Sequence, residues 1–365
     1  MVVRFILSKH RACPAFCGAL LGLVMTKNRD TYFDVLRGLA IIGVVAIHSD
    51  GIGYRFENAR MDFIGTACWR QFVNFSVPLF LAISGYFLAK KSLRSREDYV
   101  RFLKKQIPRV FVPFLLWSIF YSIHALISGT PLKTIIYRFL TFQSSVPFYF
   151  ILLIMQYYLL LPILQRIATI RGLVLSGFIS MVSCLVIFYV RYHTAFQLPL
   201  YLYAGAFPTW LVFFVLGIFL ADRPLRVGNR PLISFVIIGY ALSLAETYFL
   251  YDSYNKIEYS VTAVKVSSFL YSASLILLLF NRYARRTLKS KVLLYIGEIS
   301  FGIYLSHMFF LRWIDSYLHT VFSIDNPMAL VNQALVILFT IACCSAISII
   351  LRLVNKRVAT LYLGQ

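Results

Sequence analysis

The sequence predicts an all-α fold: a polytopic transmembrane helical bundle of about ten spans, with both termini cytoplasmic. Three observations lead there. Apolar residues make up 60% of the chain and charged residues only 14%, with a mean hydropathy of +0.76. A soluble domain carries roughly a quarter charged residues, so most of this chain does not face water. Apolar stretches of about 20 residues recur along it, the length at which a helix crosses the hydrocarbon core. These stretches do not alternate polar with apolar residues, as the strands of a membrane barrel would, and a helix satisfies its own backbone hydrogen bonds in lipid.

In order, the spans fall at 33–52, 69–89, 110–128, 147–168, 173–192, 206–222, 231–251, 261–281, 292–313 and 329–351. The first holds Asp34, Arg37 and His48. The second has Pro78 and Gly85, which permit a bend and close approach of a neighbour. A cationic run leads into the third, and aromatic residues lead into the fourth. The fifth and sixth are almost wholly apolar. Glu246 and Lys265 lie in the seventh and eighth, are opposite in charge, and are expected to pair. Glu298 and His307 lie in the ninth, and the tenth is apolar.

The formal charge of +22 raises the question of nucleic acid. The positions of the charges exclude that partner, because they lie in short loops and at span ends. One set of ends holds the dense run from Lys90 to Arg109, with Arg166, Arg171, Arg223, Arg226, Arg285 and Lys291. The other holds only scattered cations such as Arg55, Arg70, Arg191 and Lys256. This bias places both termini in the cytoplasm and the basic loops against anionic lipid headgroups. The six cysteines show no zinc spacing and most lie in apolar surroundings, so they read as core residues and no metal is expected. Residues 1–24 read as an N-terminal extension. Arg4, Lys9 and Arg11 precede a short apolar run that lacks a clear cleavage site. Met25 offers an alternative start, which would leave residues 1–24 outside the native chain; a short interfacial helix is the other reading.

Ionisable residues inside a span are costly and often functional. Asp34 and Arg37 are three apart and can pair on one helix face. Arg37 and His48 are eleven apart, so at about 100° per residue they point the same way, roughly 16 Å apart along the axis. The histidine is suited to general-base work and the arginine to holding phosphate or polarising an oxygen. The alternative is a packing histidine and a snorkelling arginine. Ser84 can donate to a substrate carbonyl or serve as a small residue at a helix contact. Lys104, Lys105 and Arg109 can grip a nucleotide's phosphates or only orient the chain. His307 lies at the depth of His48, and either lines the same cavity or caps a polar cluster.

Read together, these segments resemble the acyltransferase-3 family of membrane O-acyltransferases. The residues that carry the likeness are Asp34-x-x-Arg37-Gly38, the ten residues between Arg37 and His48, the segment SVPLFLAISGYFL that contains Ser84 and Tyr86, Arg109-x-x-x-Pro113, the aromatic-led fourth span, and the segment from Ile296 to His307. The resemblance implies a membrane acyltransferase domain over 25–365. It would use acetyl-CoA or another acyl-CoA as donor and no metal, and would acylate a hydroxyl of a surface polysaccharide or its lipid-linked precursor. It implies catalytic roles for His48 and Arg37, substrate contacts from Asp34, Ser84, Tyr86 and His307, donor-phosphate contacts from Lys105 and Arg109, and a place in the bacterial inner membrane. The family often has two arginines three apart before the third span, whereas Gln106 stands at the first of these positions here. A glycan or lipid transporter without acyl transfer is the rival reading, since ten spans with buried charge would suit it too.

Overall fold

The computed structural model describes residues 30–49, 60–223, 225, 227–281, 290–321, 329–355 and 359, and their secondary structure is helical throughout. The proposed extension at 1–24 lies outside the described residues.

Helix α1 (Thr31–His48) is the first span. Helices α2 (Arg60–Val73) and α3 (Ser76–Ala89) share the second, which runs from Ile64 to Ala89. The break between them has a local cause. Pro78 has no N–H, and its ring displaces the carbonyl four residues back, that of Asn74. Helix α4 (Arg96–Ile127) begins well before the expected position 110. Ser95 starts it: its hydroxyl accepts the Asp98 N–H at 3.1 Å, while the Asp98 carboxylate accepts the Ser95 N–H at 3.3 Å. This capping box, with Glu97 and Asp98 in the first turn, favours helix through the basic run. Lys104, Lys105 and Arg109 thus stand on an exposed helix face and not in a loop.

There follow α5 (Leu132–Leu140), α6 (Tyr149–Ile167), α7 (Ile170–His193), α8 (Leu200–Tyr203), α9 (Phe207–Asp222), α10 (Asn229–Tyr254), α11 (Ile257–Ser260) and α12 (Val266–Phe280). Helices α13 (Lys291–Glu298) and α14 (Ser300–Val321) meet at an 81° bend, and α15 (Ala329–Val354) is the last. Among the described residues, 8 helical segments are long and apolar enough to cross a bilayer, and the bent pair brings the number to 9. At the eighth expected position stands α12, with 15 residues. At 1.5 Å per residue it covers roughly 22 Å of a core about 30 Å thick.

The bundle is layered by burial. Two-thirds (67%) of the spans formed by α1, α2–α3 and α8–α9 is buried, against 22% of α7 and α10. The outer helices turn large apolar side chains outward, among them Phe178 and Leu185 on α7 and Phe235 and Ile237 on α10. An apolar outer face is what lipid-facing helices require. At the centre, backbones touch. A Cβ at Gly85 would strike the Phe214 carbonyl, and one at Gly217 would strike the Ala82 carbonyl, so α3 and α9 meet at van der Waals distance. Gly38 and Gly297 join α1 to α13 in the same reciprocal way, through the carbonyls of Leu293 and Asp34.

Polar groups inside the bundle are matched locally. Gln71 accepts from Ser243 at 2.6 Å and donates to the Val261 carbonyl at 3.0 Å, tying α2, α10 and the segment before α12. The expected Glu246–Lys265 pair does not form. The buried Lys265 ammonium donates to the Ser243 carbonyl at 2.9 Å, the Ser260 carbonyl at 3.1 Å and the Thr247 hydroxyl. Glu246 instead accepts the Ser267 N–H at 3.2 Å and the Ser267 hydroxyl. Three oxygens, two from α10 and one from α11, satisfy the ammonium more completely than one carboxylate would.

Candidate active site

The eleven-residue step on α1 brings Arg37 and His48 onto one cavity of about 320 Å³. Its walls come mainly from α1, α3, α6 and α14, and its surfaces are largely apolar, with Val44, Phe80, Ile154 and Phe301 among them. Ser84 joins the same lining.

Arg37 donates from Nη1 to Asp34 Oδ1 at 2.6 Å, the i,i+3 pair expected from spacing. Asp34 is fully buried, whereas the Arg37 side chain keeps 27% of its surface exposed. The guanidinium carbon also lies 5.0 Å from the centre of the Phe87 ring. These contacts fix the arginine at one end of the cavity.

His48 is half-buried in the last turn of α1. The carbonyl beside it, that of Ile47, accepts from Arg70 Nη1. Ser49 accepts from Gln333 at 3.3 Å and bonds the Ala46 carbonyl at 2.9 Å, so α2 and α15 both hold this turn. The ring of His307 lies 5.5 Å from that of His48, tilted by 41°. Nδ1 of His307 is 2.8 Å from the Tyr304 carbonyl and 3.0 Å from that of Ile303. Two carbonyl acceptors require a proton on Nδ1, which leaves Nε2 of a neutral ring as an acceptor. That atom is buried and makes no hydrogen bond. His307 therefore stands beside His48 and is not among the residues that line the cavity.

Two lining residues were not singled out from the sequence. Arg70 and Asn74 are four apart at the end of α2, and that spacing on a span end was the available signal. The Asn74 amide nitrogen donates to Gln71 Oε1 at 3.1 Å and to the Val261 carbonyl at 3.2 Å. Its Oδ1 is buried without a partner, a fixed acceptor at the cavity wall.

The other sequence candidates lie elsewhere. Tyr86 packs against Phe33 at 4.5 Å and Phe280 at 5.6 Å between ring centres, with the Lys90 ammonium 5.2 Å from its own ring, and does not line the cavity. Lys105 and Arg109 are exposed on α4; neither lines the cavity, although the adjoining Val110 does. Among the described residues no three His, Cys, Asp or Glu side chains cluster as metal ligands would. The cavity joins an imidazole, a guanidinium held by a carboxylate, a hydroxyl and an oriented amide oxygen within apolar walls. Such a set suits proton transfer at one end and binding of an anion or a polarised carbonyl at the other.

Fold and site define a multi-pass helical membrane protein with a cavity lined by an imidazole and a guanidinium. The chain belongs to the acyltransferase-3 family: the family described as "Acyltransferase domain" matches residues 30–351, and the protein is an acyltransferase. A protein of Acidianus two-tailed virus that bears the name of an acetyltransferase is 26% identical over 308 residues, 78% of this chain and 84% of its own length. One of Bacillus subtilis (strain 168), named for membrane-bound acyltransferase activity, is 26% identical over 303 residues, 76% of this chain and 80% of its own. One of Staphylococcus aureus (strain MRSA252), named for export of poly-beta-1,6-N-acetyl-D-glucosamine, is 28% identical over 299 residues, 78% of this chain and 81% of its own. No solved structure matches the chain.

Proposed function

We propose that this enzyme moves an acetyl or other short acyl group from acyl-CoA to a hydroxyl of a surface polysaccharide or its lipid-linked precursor, in the bacterial inner membrane with both termini cytoplasmic. The observation that carries the reading is the shared cavity of Arg37 and His48, which lies along most of α1. In this reading His48 takes the proton of the acceptor hydroxyl as its oxygen bonds to the thioester carbonyl carbon. The carbon–sulfur bond then breaks, and the CoA thiolate leaves with the proton held by His48. Ser84 donates to the thioester oxygen, Asp34 orients Arg37, and Arg37 holds the donor. Lys105 and Arg109 meet the donor's phosphates on the exposed face of α4. His307 steadies His48. The packing of Tyr86 supports no substrate contact.

The names of the staphylococcal relatives favour a second reading, export of a glycan without acyl transfer. One experiment separates the two. Surface glycans are analysed by mass spectrometry from cells carrying wild-type protein, His48→Ala or His48→Gln at matched membrane abundance. Glutamine can hydrogen-bond but cannot take a proton at neutral pH. Acylation is expected to vanish in both variants while glycan still reaches the surface. Near wild-type acylation by His48→Gln would overturn the catalytic assignment, and loss of surface glycan itself would favour export.

A further inference from the structure

At the end of the bundle that carries His48, the last turn of α7 places Arg191 in an unusual setting. The residue is only 7% exposed. Its guanidinium carbon lies 3.8 Å from the centre of the Tyr203 ring and 4.7 Å from that of Tyr259. Two aromatic rings therefore hold the group by cation–π contact and restrict its movement. Among the described residues the guanidinium makes no hydrogen bond and no ion pair, so its N–H edge is unused. A planar fork of donors, held rigid and left without acceptors, is the form that recognises a carboxylate or phosphate through two parallel bonds.

One of the two spaces that Arg191 lines has the polar walls that a hydrophilic ligand requires. Arg191 lines a pocket of about 740 Å³ together with Thr194, Gln197, Asn255, Lys256 and Glu258. Asn255, at φ +50°, caps α10 in the left-handed conformation that asparagine tolerates and belongs to this lining. The Lys256 ammonium bonds the Arg191 carbonyl at 3.0 Å, which keeps a second cation beside the first. Against these two cations the pocket sets one carboxylate, Glu258, so the local charge stays positive. The side-chain amides of Gln197 and Asn255 are of the donor-and-acceptor type that sugar hydroxyls match, whereas the Thr194 hydroxyl is taken by the Val190 carbonyl and the Phe196 N–H.

The pocket also adjoins the candidate active site. Arg191 lines a second space of about 270 Å³ with Thr262 and Val264, and both of those residues line the His48 cavity. Tyr203, which stacks on Arg191, lines the His48 cavity as well. In that second space the Glu246 carboxylate is bonded by Ser267, and the Lys265 ammonium by three oxygens, so neither is left to neutralise Arg191.

We propose that Arg191 anchors an acceptor subsite that takes a saccharide bearing a carboxylate or a phosphate, and that Tyr203 forms the wall between this subsite and the reacting hydroxyl. The inference rests on the reading of the chain as a glycan acyltransferase, and binding tests it apart from turnover. The full chain, purified in detergent, is titrated with glucuronate, glucose 1-phosphate, glycerol 1-phosphate and glucose by calorimetry or saturation-transfer NMR. At least one sugar anion should bind about tenfold or more tightly than glucose, the scale of a charge-assisted bidentate contact. Whichever anion binds better identifies the source, an acidic sugar or a phosphate linkage. Arg191→Gln should abolish the preference, and His48→Gln should keep it. Should Arg191→Gln fail to fold, Arg191→Lys retains charge but not the planar fork, and it should lose about tenfold in affinity. Equal binding of glucose, glycerol 1-phosphate binding as tightly as the better of the two sugar anions, or unchanged binding in the lysine variant would each overturn the proposal. Absence of acyl transfer in the wild type, with sugar-anion binding intact, would sink the enzymatic reading alone.

Discussion

A guanidinium near the start of a membrane helix needs a reason to stay where it is, and Asp34 supplies one. The carboxylate is buried and bonds Arg37 at 2.6 Å. Removing one member of a fully buried pair costs about 3–5 kcal/mol, because the other charge is left uncompensated. Arg37 is partly exposed, and water screens what remains, so Asp34→Ala should cost about 1–3 kcal/mol. Thermal unfolding in detergent measures this. Asp34→Ala with Arg37→Met should recover most of the loss; a double variant as unstable as the single one would show that the pair does not hold this turn. The pair and the Arg37–His48 alignment were legible in the sequence because both lie within one helix, where 3.6 residues per turn fixes direction. Arg191 was not legible as a site residue. Its setting depends on Tyr203 and Tyr259, which reach it from other elements.

The elements divide in the same way. Apolar length located the spans, since it is a property of each segment alone. The break at Asn74–Phe75, the 81° bend between α13 and α14, and the shortness of α12 were not located. Each leaves backbone groups that neighbouring helices must satisfy, and hydropathy carries no record of neighbours. The early start of α4 was available in Ser95-x-x-Asp98, a capping signal that the positive-inside reading of the same residues obscured. Glycines give the clearest test at this scale. Gly85→Ala sets a Cβ against the Phe214 carbonyl, and α3 and α9 must separate; we expect a loss of about 3 kcal/mol or of the folded protein. Gly177→Ala is the control. A Cβ there meets only Val212 Cγ2, at 3.8 Å, so the better helix propensity of alanine should make this variant neutral or more stable by up to about 1 kcal/mol. Detergent unfolding of the two variants should give opposite signs. Equal and small effects would mean that the α3–α9 contact is looser than described.

In the whole molecule, a buried inner layer of helices surrounds the His48 cavity, and helices with apolar outer faces enclose it. Under the proposed function, the bias of basic residues sets the orientation of this assembly, and with it which end would meet the donor and which the acceptor. Cysteine placed at Arg96, before the basic run, should be closed to an impermeant thiol reagent added to sealed cells; cysteine at Ser253, on the exposed end of α10, should react. Labelling at position 96 would invert the topology and move the Arg191 pocket to the cytoplasmic side. The glycine contacts have a genetic consequence. When a side chain grows against another side chain, a second mutation can trim the partner and restore the fit. At Gly85, Gly217, Gly38 and Gly297 the opposing atoms belong to the main chain, which no codon change can shorten. Suppressors of damage at these positions therefore cannot arise directly across the contact, and a lineage that loses one of these glycines must move a whole helix or give it back.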